Sequence, residues 1–354
     1  MALGIFAPPG ESPRVGARRG DGVLDLAAGA PAGPLRALLA APALNPLMGA
    51  GPEAWAAAAA IEDAPAHPLA EVELHLPFAV ADYVDFYSSL HHATNAGRMF
   101  RPGGEPLPAN WRHLPVGYHG RAGTVVPSGT PIVRPRGQRG PGDYGPTRRL
   151  DVELELGFVI GRPSRHGEPV PVHRSLEHVF GVVLLNDWSA RDIQAWETVP
   201  LGPFLAKSFA TSIGHWVVPL DALGRSAREP QEPPPLAYLA EDPWAFDIAL
   251  ELELNGSVLA RTNARELYWS AAQQIAHLTV NGAGLRTGDL LGSGTISGPG
   301  RHERGSLLEL SWNGEEPVAL ADGSTRTFLE DGDEVVLRGE GLGEVRGRIE
   351  PARA

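Results

Sequence analysis

The chain has no cysteine, which removes disulfides, thiolate metal sites and a Cys nucleophile and leaves oxygen or imidazole ligands for any metal. It has no run of about 18 uninterrupted apolar residues, so no membrane-spanning helix is expected. Positive charge is scarce. The 30 Lys and Arg face 42 Asp and Glu, a net charge of −12, which argues against a nucleic-acid or anionic-membrane partner. The start, Met1-Ala2-Leu3-Gly4-Ile5-Phe6-Ala7-Pro8, lacks the basic and apolar blocks of a signal peptide. A cytoplasmic setting is the expectation.

What is plentiful is turn-forming residues. Gly (43) and Pro (34) are abundant across the 354 residues, yet 43% of the chain is apolar, so many turns between short strands are expected rather than disorder. Residues 1–75 read as a small β-rich domain with helical decoration: Gly4–Phe6, Pro13–Ala17 and Gly22–Leu26 are short strand candidates, and Trp55–Ile61 is a helical one. Residues 76–354 read as a longer, mainly β (α+β) domain. Alternation marks strands at Leu150–Ile160, Ile248–Leu254 and Ser306–Trp312, and the apolar run Val179–Leu185 marks a buried strand. One helix opens on a Ser cap at Ser270 and runs to Val280. Arg228–Pro235, with four prolines, reads as a surface loop.

Three groups carry chemistry. In a strand over Leu150–Leu156, Asp151, Glu153 and Glu155 share one face and repel one another unless water or a cation separates them. A solvent-facing edge strand would explain that pattern equally well. Asp187, where the buried run ends, adds a further oxygen ligand and favours Mg²⁺ or Ca²⁺. The second group, Asp82 to Gly97, holds two acids, two tyrosines and two histidines; Asp85 could add a ligand and His92 could take a proton from water. The third is cationic and phenolic: Arg101, Tyr118 and Arg121, with Arg191, Gln194 and Lys207 further on, suit a substrate carboxylate or oxyanion. The Gly-rich stretch Gly288–Pro299 lacks the spacing and strand-to-helix context of a phosphate loop, which excludes nucleotide binding.

The runs Asp82–Gly97, Leu114–Arg121, Leu150–Gly157, Asn186–Gln194, Val199–Ser208 and Thr279–Pro299 closely resemble the fumarylacetoacetase family, in order and through nearly the whole chain. The resemblance implies an SH3-like N-terminal domain, a C-terminal mixed β-sandwich roll and a homodimer. It also implies a metal-dependent hydrolase that splits the carbon–carbon bond of 4-fumarylacetoacetate into fumarate and acetoacetate, the last step of tyrosine and homogentisate breakdown. By the same resemblance Asp85, Glu153, Glu155 and Asp187 are metal ligands, with Lys207 and Thr211 beside the metal, a divalent Mg²⁺ or Ca²⁺. His92 is the general base and Glu309 orients it, while Arg191, Gln194 and Lys207 stabilise oxyanions. Tyr87, Arg101, Tyr118, Gln194 and Thr295 are substrate contacts. Thr198 stands where the family has tyrosine after a Trp-Glu pair, so one phenol contact is missing. Rival readings are an acylpyruvate or related β-diketo acid hydrolase of the same superfamily and a non-catalytic, metal-stabilised binding protein. His92, Glu309 and Lys207 speak against the second.

Overall fold

The computed structural model describes residues 1–353. Its centre is a seven-stranded sheet in the order Gly117–His119, Tyr83–Phe86, Leu290–Gly292, Leu154–Ile160, Val179–Asn186, Thr211–Ile213, Val125–Pro127. Val179–Asn186 is buried along all eight residues, as its unbroken apolar run requires, because both faces of the strand are covered. Alternation then sorts two cores. Leu154, Leu156, Phe158, Val182 and Leu184 join one apolar cluster, while Val159, Val183 and Leu185 join another. Each such side chain fully buried is worth roughly 1.5–3 kcal/mol.

The first cluster is closed by a five-stranded sheet, ordered Ser257–Asn263, Ala249–Leu254, Glu334–Gly339, Gly343–Glu350, Ile132–Val133. The second is closed by the N-terminal region. There Ala66–Pro68, Gly22–Asp25, Arg14–Arg19, Leu3–Ala7 and Glu73–Leu74 form a five-stranded sheet, and the expected helix runs over Pro52–Ala59 with Pro at its first position, where a missing N–H costs nothing. Leu3, Ile5 and Leu24 pack with Val159, Phe180, Val183 and Leu290, so the N-terminal sheet shares a core with the central one. The chain is mainly β. No helix among the described residues is long and apolar enough to cross a membrane.

The expected Ser270 cap is present as a full capping box with Gln273, on the helix Ala271–Thr279. Two expectations fail. Ser306–Trp312 is not a strand: Leu307–Leu310 is a short helix capped by Ser306, whose Oγ accepts from the Glu309 N–H at 3.3 Å. The alternation there was produced by burial on all sides of the helix, since Leu307 to Leu310 are all buried. Nor is Leu150–Ile160 one strand. It breaks at Val152 and Glu153 between Leu150–Asp151 and Leu154–Ile160. The loop Arg228–Pro235 is irregular as expected but anchored, with Arg228 Nη1 donating to the Tyr268 carbonyl at 2.7 Å.

Candidate active site

The site grows out of adjacent strand ends. Asp85 lies in Tyr83–Phe86, directly across from Gly292, and Gly292 is across from Gly157 in the strand that carries Glu155. Asp187 follows the last residue of Val179–Asn186. The sheet register therefore gathers oxygens of Asp85, Glu155 and Asp187 within 4.8 Å of one another, all three side chains buried. Gly292 is needed at the centre: a Cβ there would stand 3.1 Å from Asp85 Oδ1 and 3.2 Å from Glu155 Oε2.

The solvent-facing alternative for Asp151, Glu153 and Glu155 is excluded, since all three are buried. They do not act alike. Asp151 accepts from Arg191 Nε at 2.8 Å and from the Leu307 and Leu308 N–H groups at 2.8 and 3.1 Å, joining that arginine to the helix that carries Glu309. Glu153 binds Arg191 Nη2 at 2.7 Å and also Lys207, which bridges to Asp187. Its carboxylate is thus turned to cations beside the cluster. Arg121 Nη2 lies 2.8 Å from one oxygen of Asp85 and 2.8 Å from one of Asp187. Thr211 Oγ1 reaches Asp187 Oδ1 at 3.5 Å.

Charges decide what this cluster can hold. With every carboxyl ionised, five buried carboxylates (Asp85, Asp151, Glu153, Glu155 and Asp187) face three buried cations (Arg121, Arg191 and Lys207), a formal excess of two negative charges, the charge of a divalent cation. Asp85 Oδ1 is buried without a hydrogen-bond partner, a costly state unless a ligand takes it. Burial raises the Glu155 carboxyl well above its usual range, helped by Asp85 and Asp187. Burial also lifts Asp187 to about 6, against the pull of Arg121 and Lys207. Glu153 goes the other way: burial opposes its charge, but Arg191 and Lys207 outweigh it and hold the carboxyl well below the ordinary value. Hard oxygens, an unpartnered carboxylate atom and this charge excess fit Mg²⁺, Ca²⁺ or a similar ion.

Beside the carboxylates lies a histidine–glutamate pair. His92 sits in the first turn of the helix Leu90–Phe100, whose Ser89 cap accepts the His92 N–H. His92 Nδ1 is 2.6 Å from Glu309 Oε2. Glu309 also accepts from Asn95 Nδ2 at 2.9 Å, Ser297 Oγ at 2.8 Å and Ser306 Oγ at 3.0 Å. Burial pushes its carboxyl up, but His92 and these donors prevail and hold it at about 2. A carboxylate at Nδ1 fixes the proton there and leaves Nε2 as the acceptor. Nε2 lies 4.0 Å from Glu153 Oε1, so it faces the carboxylate cluster.

The remaining expected residues divide. Arg191 Nη1 donates to Gln194 Oε1 at 3.1 Å, which leaves the Gln194 amide N–H groups free to donate. Tyr87 stacks edge-on against His92, ring centres 5.4 Å apart. Thr295 Oγ1 is buried without a partner. Tyr118, expected at the substrate, donates its hydroxyl to Asp85 Oδ2 at 2.9 Å. Arg101 turns to its own loop and binds the Pro106 carbonyl at 2.5 Å. The Thr198 hydroxyl caps its own helix, bonding to the Gln194 carbonyl at 2.6 Å. Of the two acids and two histidines in the run Asp82–Gly97, Asp85 and His92 belong to the site, while Asp82 pairs with His119 at 3.1 Å and His91 lies 3.7 Å from Glu266. Not foreseen from sequence are the bridging position of Arg121, the linking role of Asp151, and Asn95, Ser297 and Ser306 around Glu309. Arg121 stood out in sequence only as a cationic candidate for a substrate carboxylate, with nothing to place it between Asp85 and Asp187.

Known proteins resemble this chain in sequence and in fold. Residues 82–350 match the family described as fumarylacetoacetate (FAA) hydrolase C-terminal. The chain is 45% identical to the fumarylacetoacetase of Homo sapiens, across 99% of this chain and 95% of that one, and 44% identical to that of Arabidopsis thaliana over the same shares. Among solved structures, fumarylacetoacetate hydrolase from Exiguobacterium antarcticum superposes with a TM-score of 0.64 at 20% identity, covering all of both chains. A maleylpyruvate hydrolase from a Sphingobium species, in complex with manganese(II) ion and pyruvate, gives 0.59 at 19% and the same coverage. At those identities the two structures speak for the fold alone. The chain belongs to the fumarylacetoacetate hydrolase family.

Proposed function

We propose that the protein hydrolyses the carbon–carbon bond of 4-fumarylacetoacetate, giving fumarate and acetoacetate at the end of cytoplasmic tyrosine and homogentisate breakdown. The observation that carries the reading is the His92–Glu309 pair, 2.6 Å apart, aimed at a buried carboxylate cluster with two negative charges in excess. Asp85, Glu155 and Asp187 would hold the cation, with Glu153, Lys207 and Thr211 around them. Bound there, Mg²⁺ or Ca²⁺ supplies a Lewis acid for the substrate's keto oxygen. His92 Nε2 takes a proton from water while Glu309 keeps Nδ1 protonated and steadies the imidazolium, as the acid does in other hydrolytic triads. The hydroxide adds to the carbonyl carbon. Donors from Arg191, Gln194 and Lys207 meet the developing oxyanion, each worth on the order of 3 kcal/mol in comparable sites. The carbon–carbon bond breaks, its electron pair leaves on the acetoacetate carbon, and the proton held by His92 returns to it. Tyr87, Arg101, Tyr118, Thr198 and Thr295 frame the substrate in this reading.

Residues 1–75 form the SH3-like unit and 76–354 the catalytic domain, and two chains pair as a homodimer. Exposed Val199, Leu201 and Phe204 on the loop beside Lys207 support the pairing, being apolar surface that water does not favour.

The test is loss of the ultraviolet absorbance of fumarylacetoacetate by metal-stripped protein, before and after Mg²⁺ or Ca²⁺ is added. Metal-dependent loss with fumarate and acetoacetate as products supports the proposal. No turnover with either ion overturns it in favour of an acylpyruvate-type substrate, with Thr198 the first residue to exchange. His92→Ala should abolish turnover and leave metal binding nearly intact, and a near-normal rate in that variant would remove His92 from the role of base.

A further inference from the structure

Arg121 has no part in the reaction as proposed, yet it is among the most constrained side chains in the molecule. Its side chain is 3% exposed. One Nη2 atom bridges Asp85 Oδ2 and Asp187 Oδ2 at 2.8 Å each. Nη1 donates to the Tyr118 hydroxyl at 3.0 Å, and that hydroxyl donates in turn to Asp85 Oδ2. The guanidinium carbon lies 4.5 Å from the Tyr83 ring centre and 5.4 Å from that of Tyr118, so two aromatic faces hold the cation in place. The backbone bends to allow this: Arg121 has φ of +48°, a left-handed conformation that an arginine adopts only where its surroundings compel it. Its Nε is buried without a partner, a further cost accepted for the position of Nη2. The bridge uses only one oxygen of Asp85. The other, Oδ1, stays unpartnered on the side of Glu155.

We propose that Arg121 is a resident counter-ion of the carboxylate cluster, which holds Asp85 and Asp187 together and opposes the incoming divalent cation, so that it sets how tightly the ion is bound. The inference rests on the metal-binding reading above. A fixed positive charge touching two ligands repels a doubly charged neighbour strongly in a site shielded from water. The cluster is thereby preformed and held to modest affinity together. Arg121 is a positioning residue, and it need not touch substrate.

The experiment is a Mn²⁺ titration of the full chain without substrate, at about pH 8, with free Mn²⁺ read by electron paramagnetic resonance. Melting of the metal-free protein is followed in parallel. Arg121→Gln and Arg121→Met, which remove the charge, should bind Mn²⁺ about tenfold tighter or more and melt at lower temperature when metal-free. Arg121→Lys, which keeps the charge but not the fork of donors, should tighten binding less than either neutral variant. Affinity that is unchanged or weaker in both neutral variants overturns the inference, because Arg121 would then only organise the ligands. Tightening in Arg121→Lys equal to that in Arg121→Gln overturns it too, since charge would not be the cause. Failure of the parent protein to bind Mn²⁺ overturns the metal reading itself, a result distinct from the other two. If Arg121→Gln fails to fold, the Arg121→Met and Arg121→Lys pair decides alone.

Discussion

A carboxylate held at about 2 and another lifted to about 6 lie in one site, and they pull stability in opposite directions with pH. Glu309 is depressed from its ordinary 4.5. Its contribution is present above pH 4.5 and is lost as pH falls from there toward 2, because the unfolded chain takes up the proton first. Asp187 is raised from 3.8. In the metal-free protein it costs stability as pH rises from 3.8 to 6, and the deficit persists above 6. A cation that replaces the proton relieves that deficit. The rise in melting temperature caused by saturating Mg²⁺ or Ca²⁺ should therefore be small near pH 5 and larger near pH 7, and an equal rise at both would refute the ligand role of Asp187. Glu309→Gln keeps the shape but loses the charge that steadies His92; turnover should drop by roughly 10²–10⁴-fold while Mn²⁺ affinity holds. At this scale the acids and His92 were legible because they cluster in sequence. The bridging role of Arg121 and the linking role of Asp151 were not. The partners of Asp151 at Leu307 and Leu308 are 156 and 157 residues away, and no local pattern encodes such a contact.

Elements matter here through what they leave out. Leu290–Gly292 is the strand between the Asp85 strand and the Glu155 strand, and its last residue has no side chain where two carboxylates converge. The backbone of Gly292 would accept alanine, since it is not left-handed. The added methyl, however, would meet the Tyr83 hydroxyl at 2.8 Å, as well as Asp85 Oδ1 and Glu155 Oε2. Gly292→Ala should therefore fold with a loss of about 1–3 kcal/mol and bind Mn²⁺ at least about tenfold more weakly. Parent-like affinity by titration would show that the cluster has room to spare. The sequence announced this segment only as Gly-rich, and its strand was hidden by having three residues. Ser306–Trp312 misled in the opposite sense. Apolar alternation arises from a strand with one wet face, but a short helix buried all round imitates it, and only the Ser306 cap and Glu309 behind it hinted at a turn of helix.

Across the whole molecule, composition foretold a mainly β chain of many short strands, and the strand candidates at Gly4–Phe6, Pro13–Ala17 and Gly22–Leu26 fall on Leu3–Ala7, Arg14–Arg19 and Gly22–Asp25. How the N-terminal region relates to the rest was not legible, because an apolar face does not say in sequence what it packs against. The exposed loop raises one question of assembly. Glu197 fixes it by accepting the Phe204 and Ala206 N–H groups at 2.7 and 2.8 Å, so Leu201 at 95% exposed and Phe204 at 69% are presented from an ordered support. If that surface pairs two chains, Leu201→Glu with Phe204→Glu should yield monomers by sedimentation while the parent protein sediments as a dimer. A dimer in both cases would move the interface elsewhere. The second question concerns residues 1–75. Leu3 pairs through its backbone with Val217 at 2.9 and 2.7 Å, and Gly4 lies so close to His215 and Trp216 that a Cβ would stand 2.4 Å from the His215 carbonyl oxygen. Deleting this region would uncover Val159, Phe180, Val183, Leu185 and Leu290, which back the strands bearing Glu155 and Asp187. Losing five such burials would cost on the order of 7–15 kcal/mol, comparable with the whole stability of an ordinary domain. The full chain should melt in one cooperative transition, and residues 76–354 alone should aggregate or fail to bind Mn²⁺. A truncated protein that melts cooperatively and binds the ion with parent affinity would mean that the shared core is dispensable and that the site is built by the catalytic region unaided.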